Sequence, residues 1–278
     1  RITGGEPLVR RDLPVLLAQL ARIRTSAGKD VDLTLTTNGS ALKALARPLR
    51  DAGLKRITVS LDSLDDEVFR SMNGIDFPVA RVLAGIDAAF AAGFGGPRAP
   101  IKVNMVVRRG LNETSVLPMA RWARERGVTL RFIEYMDVGT ANDWRLDEVV
   151  PSAELVAAID TELPLEPAAP NYRGEVAGRW RYRDGSGEIG VISSVTQPFC
   201  GDCTRARLSA EGMLYTCLFA AEGHALKPHL RPELDAAGLA AALRSAWTAR
   251  DDRYSEVRGA AGASGGRDGR VEMFRVGG

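Results

Sequence analysis

The sequence predicts an α/β protein organised around a parallel sheet. Short runs rich in β-branched residues alternate with stretches whose apolar residues recur at i, i+3, i+4 and i+7. This alternation repeats at intervals of about 25–45 residues, which is the spacing of βα units. The chain of 278 residues is long enough for one large domain, or for one domain with an appendage.

The amino-terminal half supplies the βα units in order. A first helix is predicted over residues 13–23 and a strand over 33–37. The next helix, 41–50, ends before Gly53, a residue type common after helix C-termini, and a strand over 57–61 follows. The remaining units are a helix over 79–92, a strand over 101–107, a helix over 115–126 and a strand over 130–136.

After residue 151 the pattern changes, and we expect a division into residues 1–150 and 151–278. Four prolines interrupt the chain just after this point, at positions 151, 164, 167 and 170. In chain order we expect irregular strands over 174–194, a hairpin of 205–208 with 213–218 that turns at 210–212, and a last helix over about 236–249.

Charge and composition exclude several classes of protein. The 37 basic and 35 acidic residues leave a net charge of +2, which gives no sign of a general nucleic-acid binder. No apolar run approaches the roughly 18–20 residues that a membrane span needs. The cysteines are odd in number and close together, which favours a metal site in a reducing cytoplasm over a disulfide framework. We therefore expect a cytoplasmic protein with no nucleic-acid or membrane partner.

Polar segments follow four of the strand-like runs. They are residues 4–7, 36–39, 60–62 and 134–137. Because the carboxyl ends of parallel strands open onto one rim, where such sheets place their chemistry, we expect these segments to share a site.

The cysteines form the most specific motif. Cys200 and Cys203 have the CxxC spacing, and Cys217 follows at the distance that a hairpin can return. Three thiolates on a [4Fe–4S] cluster would leave one iron without a protein ligand. Structural zinc held with His224 is the competing reading, and unligated core cysteines are the third.

Three basic side chains stand beside these motifs. Arg205 and Arg207, two residues apart on a predicted strand, would face the same side and suit a phosphate, although exposed strand arginines are equally ordinary. Lys102 lies within an apolar strand, where its charge needs an anion unless the strand is at an edge. Asp62, Asp65 and Asp66 are expected to cap the next helix.

Together these motifs resemble one family, the GTP 3′,8-cyclases (molybdenum cofactor biosynthesis protein A) of the radical S-adenosylmethionine superfamily. The matching stretches follow the family's order over almost the whole chain: Arg1–Leu8, Leu35–Gly39, Ile57–Asp62, Lys102–Val107, Phe132–Asp137, Cys200–Leu208, Cys217–Phe219 and Gly277-Gly278. The Gly-Gly-Glu-Pro motif alone supports only the superfamily, whereas the cysteine run with its two arginines and the terminal Gly-Gly are far more specific.

The resemblance implies a fold and a set of site residues. The fold is an incomplete six-stranded (β/α) TIM-like barrel with a C-terminal auxiliary-cluster region that caps its open end. Gly5, Ser60 and Met136 match positions that contact S-adenosylmethionine, and Glu6 lies in the loop beside the amino-acid moiety of that cofactor. The positions that match GTP contacts are Arg1, Thr36, Lys102, Arg205, Ala206 and Arg207.

The resemblance also implies the catalytic groups and the metal centre. Cys200, Cys203 and Cys217 match the ligands of an auxiliary [4Fe–4S] cluster whose open iron receives the guanine base. The residues implied to take part in catalysis are Arg205, Arg207, Gly277 and Gly278, with the Gly-Gly tail reaching into the active site.

The implied activity converts GTP to (8S)-3′,8-cyclo-7,8-dihydroguanosine 5′-triphosphate, the first step of molybdenum cofactor biosynthesis. Reductive cleavage of S-adenosylmethionine at another [4Fe–4S] cluster would give a 5′-deoxyadenosyl radical. That radical would take the ribose 3′ hydrogen of GTP before the 3′ carbon attacks C8. The implied partners are GTP, an electron donor, the downstream cyclic pyranopterin monophosphate synthase that takes over the product, and a second copy in a homodimer.

One feature departs from the family. Its first cluster rests on a CxxxCxxC loop after the first strand, and this sequence has no such motif. Because the sequence opens where a second strand would end, we expect an N-terminally truncated chain, with the second [4Fe–4S] cluster on the missing segment. We expect the 278-residue chain to be unable to cleave S-adenosylmethionine.

Two alternatives remain open at this point. One is another radical S-adenosylmethionine enzyme with a tricysteine auxiliary cluster and a different substrate. The other is a non-catalytic binding module stabilised by zinc, which the missing CxxxCxxC loop would favour.

Overall fold

The protein is built around one mostly parallel sheet. The computed structural model describes residues 1–74, 76–139, 143–258 and 271–272, and within these residues seven strands form the main sheet in the order β1-β2-β3-β4-β7-β6-β5. The strands are β1 (Thr34–Thr37), β2 (Arg56–Ser60), β3 (Ile101–Val107), β4 (Thr129–Glu134), β5 (Leu165–Ala168), β6 (Gly178–Tyr182) and β7 (Glu188–Ile192). All neighbours from β1 to β7 pair in parallel, and β6 and β5 add to β7 in antiparallel fashion.

Helices cover one face of this sheet. They are α1 (Leu13–Leu20), α2 (Leu42–Asp51), α3 (Asp66–Asn73), α4 (Val79–Ala91), α5 (Val116–Arg126) and α6 (Ser152–Asp160), and α7 (Ala236–Thr248) and α8 (Tyr254–Val257) follow near the C-terminus. None of the described helices is long and apolar enough to cross a membrane. This arrangement confirms the predicted α/β class and is that of a partial (β/α) barrel.

The predicted βα units are confirmed, with shifts at their ends. β3 has the predicted bounds because its side chains alternate strictly between buried and half-buried positions. β4 ends at Glu134, two residues before the predicted end, because both neighbouring strands end there. The last pairs are Val107 with Glu134 and Ile192 with Ile133. α1 ends at Leu20 instead of residue 23, where the chain passes into single turns.

The strands after residue 151 are more regular than expected. β6 and β7 form an antiparallel pair where irregular strands were expected, and β5, which contains Pro167, was not predicted at all. Proline removes a backbone donor, so a strand that contains it must lie at a sheet edge, and β5 is the last strand in the order. The main sheet continues across residue 150, and the division expected there stays a prediction.

A second, smaller sheet carries the cysteine segment. In the described part of the chain it contains three antiparallel strands, β8 (Arg207–Leu208), β9 (Met213–Tyr215) and β10 (His224–Ala225). β8 and β9 confirm the predicted hairpin, although both are shorter than predicted. Gly212 in its turn has a φ of 84°, a conformation that favours glycine.

Glu134, at the carboxyl end of β4, joins three parts of the structure. Its side chain is completely buried, and its two oxygens accept hydrogen bonds from the backbone N–H groups of Ser152 (2.9 Å), Val195 (2.8 Å) and Thr196 (2.9 Å) and from the Thr196 hydroxyl. Ser152 begins α6, and residues 195–196 begin the segment that leads from β7 to the cysteines. This carboxylate therefore fixes the cysteine segment to the sheet.

We expect Glu134→Gln to destabilise the protein by about 2–3 kcal/mol, because the amide NH₂ would face backbone donors that cannot turn away. Urea denaturation of the two proteins measures the difference. Glu113→Gln is the matched control, since Glu113 is only half-buried while it also accepts two backbone hydrogen bonds, from Gly110 and Leu111. Equal losses in both variants would contradict the role of Glu134.

Candidate functional site

The face of the main sheet opposite the helices is polar. On this polar face, defined by Thr36, Thr58, Lys102, Asn104 and Arg131, neighbouring side chains come from strands paired in register. Arg131 Nε donates to Asn104 Oδ1 at 2.9 Å, and Nη2 lies 3.4 Å from Thr58 Oγ1. Arg1 Nη1 donates to Thr36 Oγ1 at 3.2 Å, so a predicted pair of GTP-contacting residues is in direct contact.

Arg131 belongs to the polar face, although it was not among the residues predicted from the sequence. It stands between buried Leu130 and Phe132, the same signal of a charge within an apolar strand that singled out Lys102. Gly190 on β7 makes room for it, since a Cβ there would lie 3.1 Å from Cγ of Arg131. The side chain can therefore lie across the neighbouring strand.

Positive charges crowd the polar face. Burial lowers the pKa of Lys102, and the positive charges of Arg131 and Arg56 lower it further. Burial, reinforced mainly by Arg1, lowers the pKa of Arg131 to about 10. The pKa of Arg1 is lowered by burial and then by Arg56. Such a face disfavours its own charges until an anion arrives, which suits a polyphosphate.

A cavity of about 600 Å³ opens at the amino ends of the central strands. Its lining includes Arg56, Lys102, Thr129 and Glu188, which stand at or next to the first residues of β2, β3, β4 and β7. Arg56 is held there by Asp32, whose Oδ1 is 3.1 Å from the Arg56 Nε. This cavity therefore lies at the end of the sheet opposite the predicted S-adenosylmethionine residues.

The four residues predicted to contact S-adenosylmethionine stand at the carboxyl ends of the strands. Gly5 and Glu6 lie in the loop before residue 8, Ser60 ends β2 and Met136 follows β4. The Glu6 carboxylate is occupied within the protein, since it accepts from the Thr37 hydroxyl (2.7 Å) and from the N–H groups of Leu8 (2.9 Å) and Asn38 (2.7 Å). Glu6 thus joins two of the predicted rim segments.

The three aspartates after β2 have different roles. Asp65 caps α3, as expected, by accepting from the N–H groups of Glu67 and Val68. For Asp62 the capping prediction is wrong: its side chain crosses to β3 and accepts from the Val106 N–H at 2.8 Å, and burial raises its pKa to about 6. The capping prediction is also wrong for Asp66, which is the first residue of α3 and whose Oδ2 accepts from Arg70.

The three cysteines lie on one turn and the hairpin that follows it. Cys200 begins a single 3₁₀ turn that the Cys203 N–H closes onto the Cys200 carbonyl, and the Phe219 N–H points at the Cys217 Sγ. All three are free, half-buried thiols. Within the described ranges, no group of three or more His, Cys, Asp or Glu side chains is arranged to hold a metal ion.

The surroundings of Cys203 and Cys217 shift their thiol pKa values in opposite directions. Burial would raise the pKa of Cys203, but hydrogen bonds from the Arg205 backbone and the Arg250 side chain bring it below the usual value. Burial raises the pKa of Cys217, and the nearby Cys200 adds to that effect. Thiolates are the ligands of iron–sulfur clusters, so the donor chemistry of the three cysteines fits such a group, and the arginines beside Cys203 favour its thiolate form.

Arg205 and Arg207 connect the cysteine segment to the polar face. They were predicted to share a strand, but β8 begins only at Arg207, so Arg205 precedes it and its guanidinium lies over the Phe199 ring at 5.0 Å. Arg205 Nε is 3.1 Å from the Cys203 Sγ. After burial, the positive charges of Arg205 and Arg1 lower the pKa of Arg207, so the three guanidinium groups are electrostatically coupled.

Gly277 and Gly278 lie outside the described residues. Ala206 joins the two arginines just before β8.

Comparison with known proteins supports one assignment. Residues 1–123 match the Radical SAM superfamily, and residues 128–256 match Molybdenum Cofactor Synthesis C. A GTP 3′,8-cyclase of Acidothermus cellulolyticus is 56% identical over 93% of this chain and 70% of its own length. The chain belongs to the GTP 3′,8-cyclase family. Another member, from Xanthomonas axonopodis pv. citri, is 53% identical over 100% of this chain and 79% of its own length.

Membership of the GTP 3′,8-cyclase family confirms the resemblance seen in the motifs. Among solved structures, a radical SAM methyltransferase from Sphaerobacter thermophilus matches with a TM-score of 0.36 and 19% identity, over 46% of this chain and 36% of that one. A similarity of that extent carries no argument about the site.

We expect Lys102→Met to stabilise the ligand-free protein and to weaken polyphosphate binding. The pKa of Lys102 in the folded protein is below the ordinary 10.5. Between these two pKa values the unfolded chain binds more protons than the folded chain, so stability rises with pH up to 10.5. At pH 7 the buried charge therefore costs stability, and its removal should raise the melting temperature by a few degrees. Calorimetry with inorganic triphosphate should show affinity weaker by about tenfold.

The matched control for this change is Lys43→Met, which removes the same charge from an exposed position on α2. This control should change neither the melting temperature nor the affinity for inorganic triphosphate. A lower melting temperature for Lys102→Met at pH 7 would contradict the analysis of the polar face.

Proposed function

We propose that the protein is a radical S-adenosylmethionine GTP 3′,8-cyclase that forms (8S)-3′,8-cyclo-7,8-dihydroguanosine 5′-triphosphate in molybdenum cofactor biosynthesis. The observation that carries the proposal is the contact of the Arg205 Nε with the Cys203 Sγ at 3.1 Å, together with the electrostatic coupling of Arg207 to Arg205 and Arg1, which relates the basic strand face to the three thiols. A nucleotide can reach from one to the other, with its phosphates on the arginines and lysine and its base at the thiols.

The polar face would bind the triphosphate. Arg1, Thr36 and Lys102 supply two charges and a hydroxyl, and Arg131 adds a third charge from the next strand. Guanidinium forks suit phosphate oxygens because two N–H groups can donate in parallel. Their fixed positions would orient the ribose before any reaction occurs.

Arg205, Ala206 and Arg207 would hold the part of GTP nearest the thiols. Arg205 is already oriented by the Phe199 ring and by the Cys203 sulfur, so it would lose little freedom when it binds an anion. Gly277 and Gly278 would complete the site from the C-terminus and assist catalysis.

The carboxyl ends of the strands would bind S-adenosylmethionine through Gly5, Glu6, Ser60 and Met136. The carboxylate of Glu6 keeps the loop of Gly5 against residues 37–38, so its part would be to shape the pocket. Ser60 and Arg56 stand on the same side of β2, four residues apart, which separates the two ends of the site by roughly 13 Å.

Cys200, Cys203 and Cys217 would hold the auxiliary [4Fe–4S] cluster. When bound, the clusters and S-adenosylmethionine supply the electron transfer and the carbon radical chemistry, while this chain's residues bind and orient GTP and exclude water. The second [4Fe–4S] cluster would need cysteines other than these three. A cytoplasmic location, an electron donor, hand-off of the product to cyclic pyranopterin monophosphate synthase and a homodimer belong to the same proposal.

Metal analysis tests the cluster. After anaerobic reconstitution we expect about four irons with equal acid-labile sulfide per chain, and Cys217→Ser should lose most of both, because one of three ligands is removed. His224→Ala is the control, since it removes only the histidine of the zinc alternative and should change nothing. About one zinc without sulfide, lost in His224→Ala, would support a structural zinc site and contradict the cyclase.

Nucleotide binding tests the arginines. The double variant Arg205→Ala/Arg207→Ala should bind GTP about a hundredfold more weakly, since two charge-assisted contacts are lost, while its iron content stays unchanged. Equilibrium dialysis of the reconstituted proteins measures this. Arg244→Ala, at an exposed position on α7, should bind GTP as the parent protein does. Unchanged GTP affinity in the double variant would count against the proposal.

A further inference from the structure

The chain after α7 is attached to the cysteine turn. In this C-terminal segment, residues 250–258, Arg250 donates to the Cys203 carbonyl and the Glu256 Oε1 accepts from the Gly201 N–H at 3.2 Å. Gly201 lies between Cys200 and Cys203. Both contacts join backbone groups of the turn to side chains of the segment, so movement of the segment would carry the turn with it.

The same segment is attached to the end of β4 by a buried ion pair. Arg258 Nε lies 2.8 Å from the Asp137 Oδ1, and the two side chains are only 9% and 5% exposed. Tyr254 donates its hydroxyl hydrogen to the other oxygen of Asp137, and Arg258 Nη1 donates to the Ser194 carbonyl at 3.0 Å. Asp137 directly follows Met136, which is predicted to contact S-adenosylmethionine.

Aromatic rings enclose this ion pair. The Arg258 guanidinium lies 5.1 Å from the ring centre of Phe219, 5.4 Å from that of Tyr254 and 5.8 Å from that of Trp144. Phe219 stands two residues after Cys217, and its N–H points at that cysteine's sulfur. Trp144 is itself held by its indole N–H, which donates to the Tyr135 carbonyl at 2.8 Å. Arg258 therefore contacts elements from both halves of the predicted site.

Residues 271–272 lie next to the loop after β4 and the segment that follows Cys217. The Val271 N–H donates to the Ala220 carbonyl at 3.2 Å. Gly139 has a φ of 71°, a backbone conformation that favours glycine, and the Glu272 carboxylate lies beside it, so the later chain lies next to the loop after β4.

Stability alone does not account for a buried ion pair. Apolar residues of similar size often stabilise a protein as well as such a pair, because desolvation offsets the Coulombic attraction. A charged pair with fixed hydrogen bonds can specify one relative position of the elements it joins. Here those elements are the end of β4, the Ser194 loop and the segment that holds the cysteine turn.

We infer that Arg258 and Asp137 are positioning residues that fix the tricysteine turn against the S-adenosylmethionine end of β4. The inference rests on the proposed function, because it gives the pair the task of setting the distance between the auxiliary cluster and the radical source. Breaking the pair would leave the three thiols able to hold iron but would change where bound GTP meets the cluster.

The test compares Asp137→Asn/Arg258→Met with the parent chain after reconstitution. Removing both charges together avoids a buried charge without a partner, so we expect the melting temperature and the iron content to stay near the parent values. GTP affinity should fall by about tenfold, as for the loss of one charged hydrogen bond. The change that GTP causes in the electron paramagnetic resonance spectrum of the reduced cluster should also be lost.

Arg244→Met is the matched control, since Arg244 is an exposed arginine on the preceding helix α7. It should retain the parent affinity and spectrum. A double variant with the parent affinity and the parent GTP-induced spectral change would overturn the inference. If the parent chain itself binds no iron or no GTP, the proposed function fails instead, and the two failures are thereby distinguished.

Tyr254→Phe covers the case in which the double variant does not fold. It removes one hydrogen bond to Asp137 without any change of charge. We expect faster tryptic cleavage after Arg250 and Arg253, and a GTP affinity about threefold weaker. Parent-like cleavage and affinity in this variant would also overturn the inference.

Discussion

The architecture of the site depends on one buried carboxylate. Glu134 satisfies the first N–H of α6 and two N–H groups of the segment after β7 with the two oxygens of a single side chain. The Ser152 N–H lies where water does not reach, so without the carboxylate it would lose its hydrogen bond, and the other two donors would lose the group that ties them to the sheet. The cysteine turn begins only a few residues later, so this anchor holds the start of its segment against the sheet.

The polar face presents the opposite situation, because its charges repel one another. Lys102 and Arg131 stand on strands that the core fixes in register, and Arg1 precedes Ile2, which pairs with Leu35 of β1, so these charges cannot separate to relieve the repulsion. A site of this kind stores unfavourable electrostatic energy that an anionic ligand releases. The apolar side chains on the helix-covered face of the same strands supply the stability that makes this possible.

Much of the fold could be predicted because its signals are local. The alternation in β3 gives its bounds, and the motifs at the strand ends give the predicted site residues. What could not be predicted depends on contacts distant in sequence. Arg131 becomes part of the site only because Gly190 of a later strand leaves space for it, and Asp62 crosses to β3 although its position suits a helix cap. The role of Arg258 depends on Asp137, more than a hundred residues earlier.

Pro167 has a consequence for the behaviour of the protein in solution. It lies in β5, the outermost strand of the main sheet on that side, where it pairs with Trp180 and offers no N–H group outward. An open sheet edge is a template onto which the strand of another molecule can add, and this is a common first step of aggregation. The proline interrupts that template, so the sheet can end in water at β5 without recruiting a neighbour.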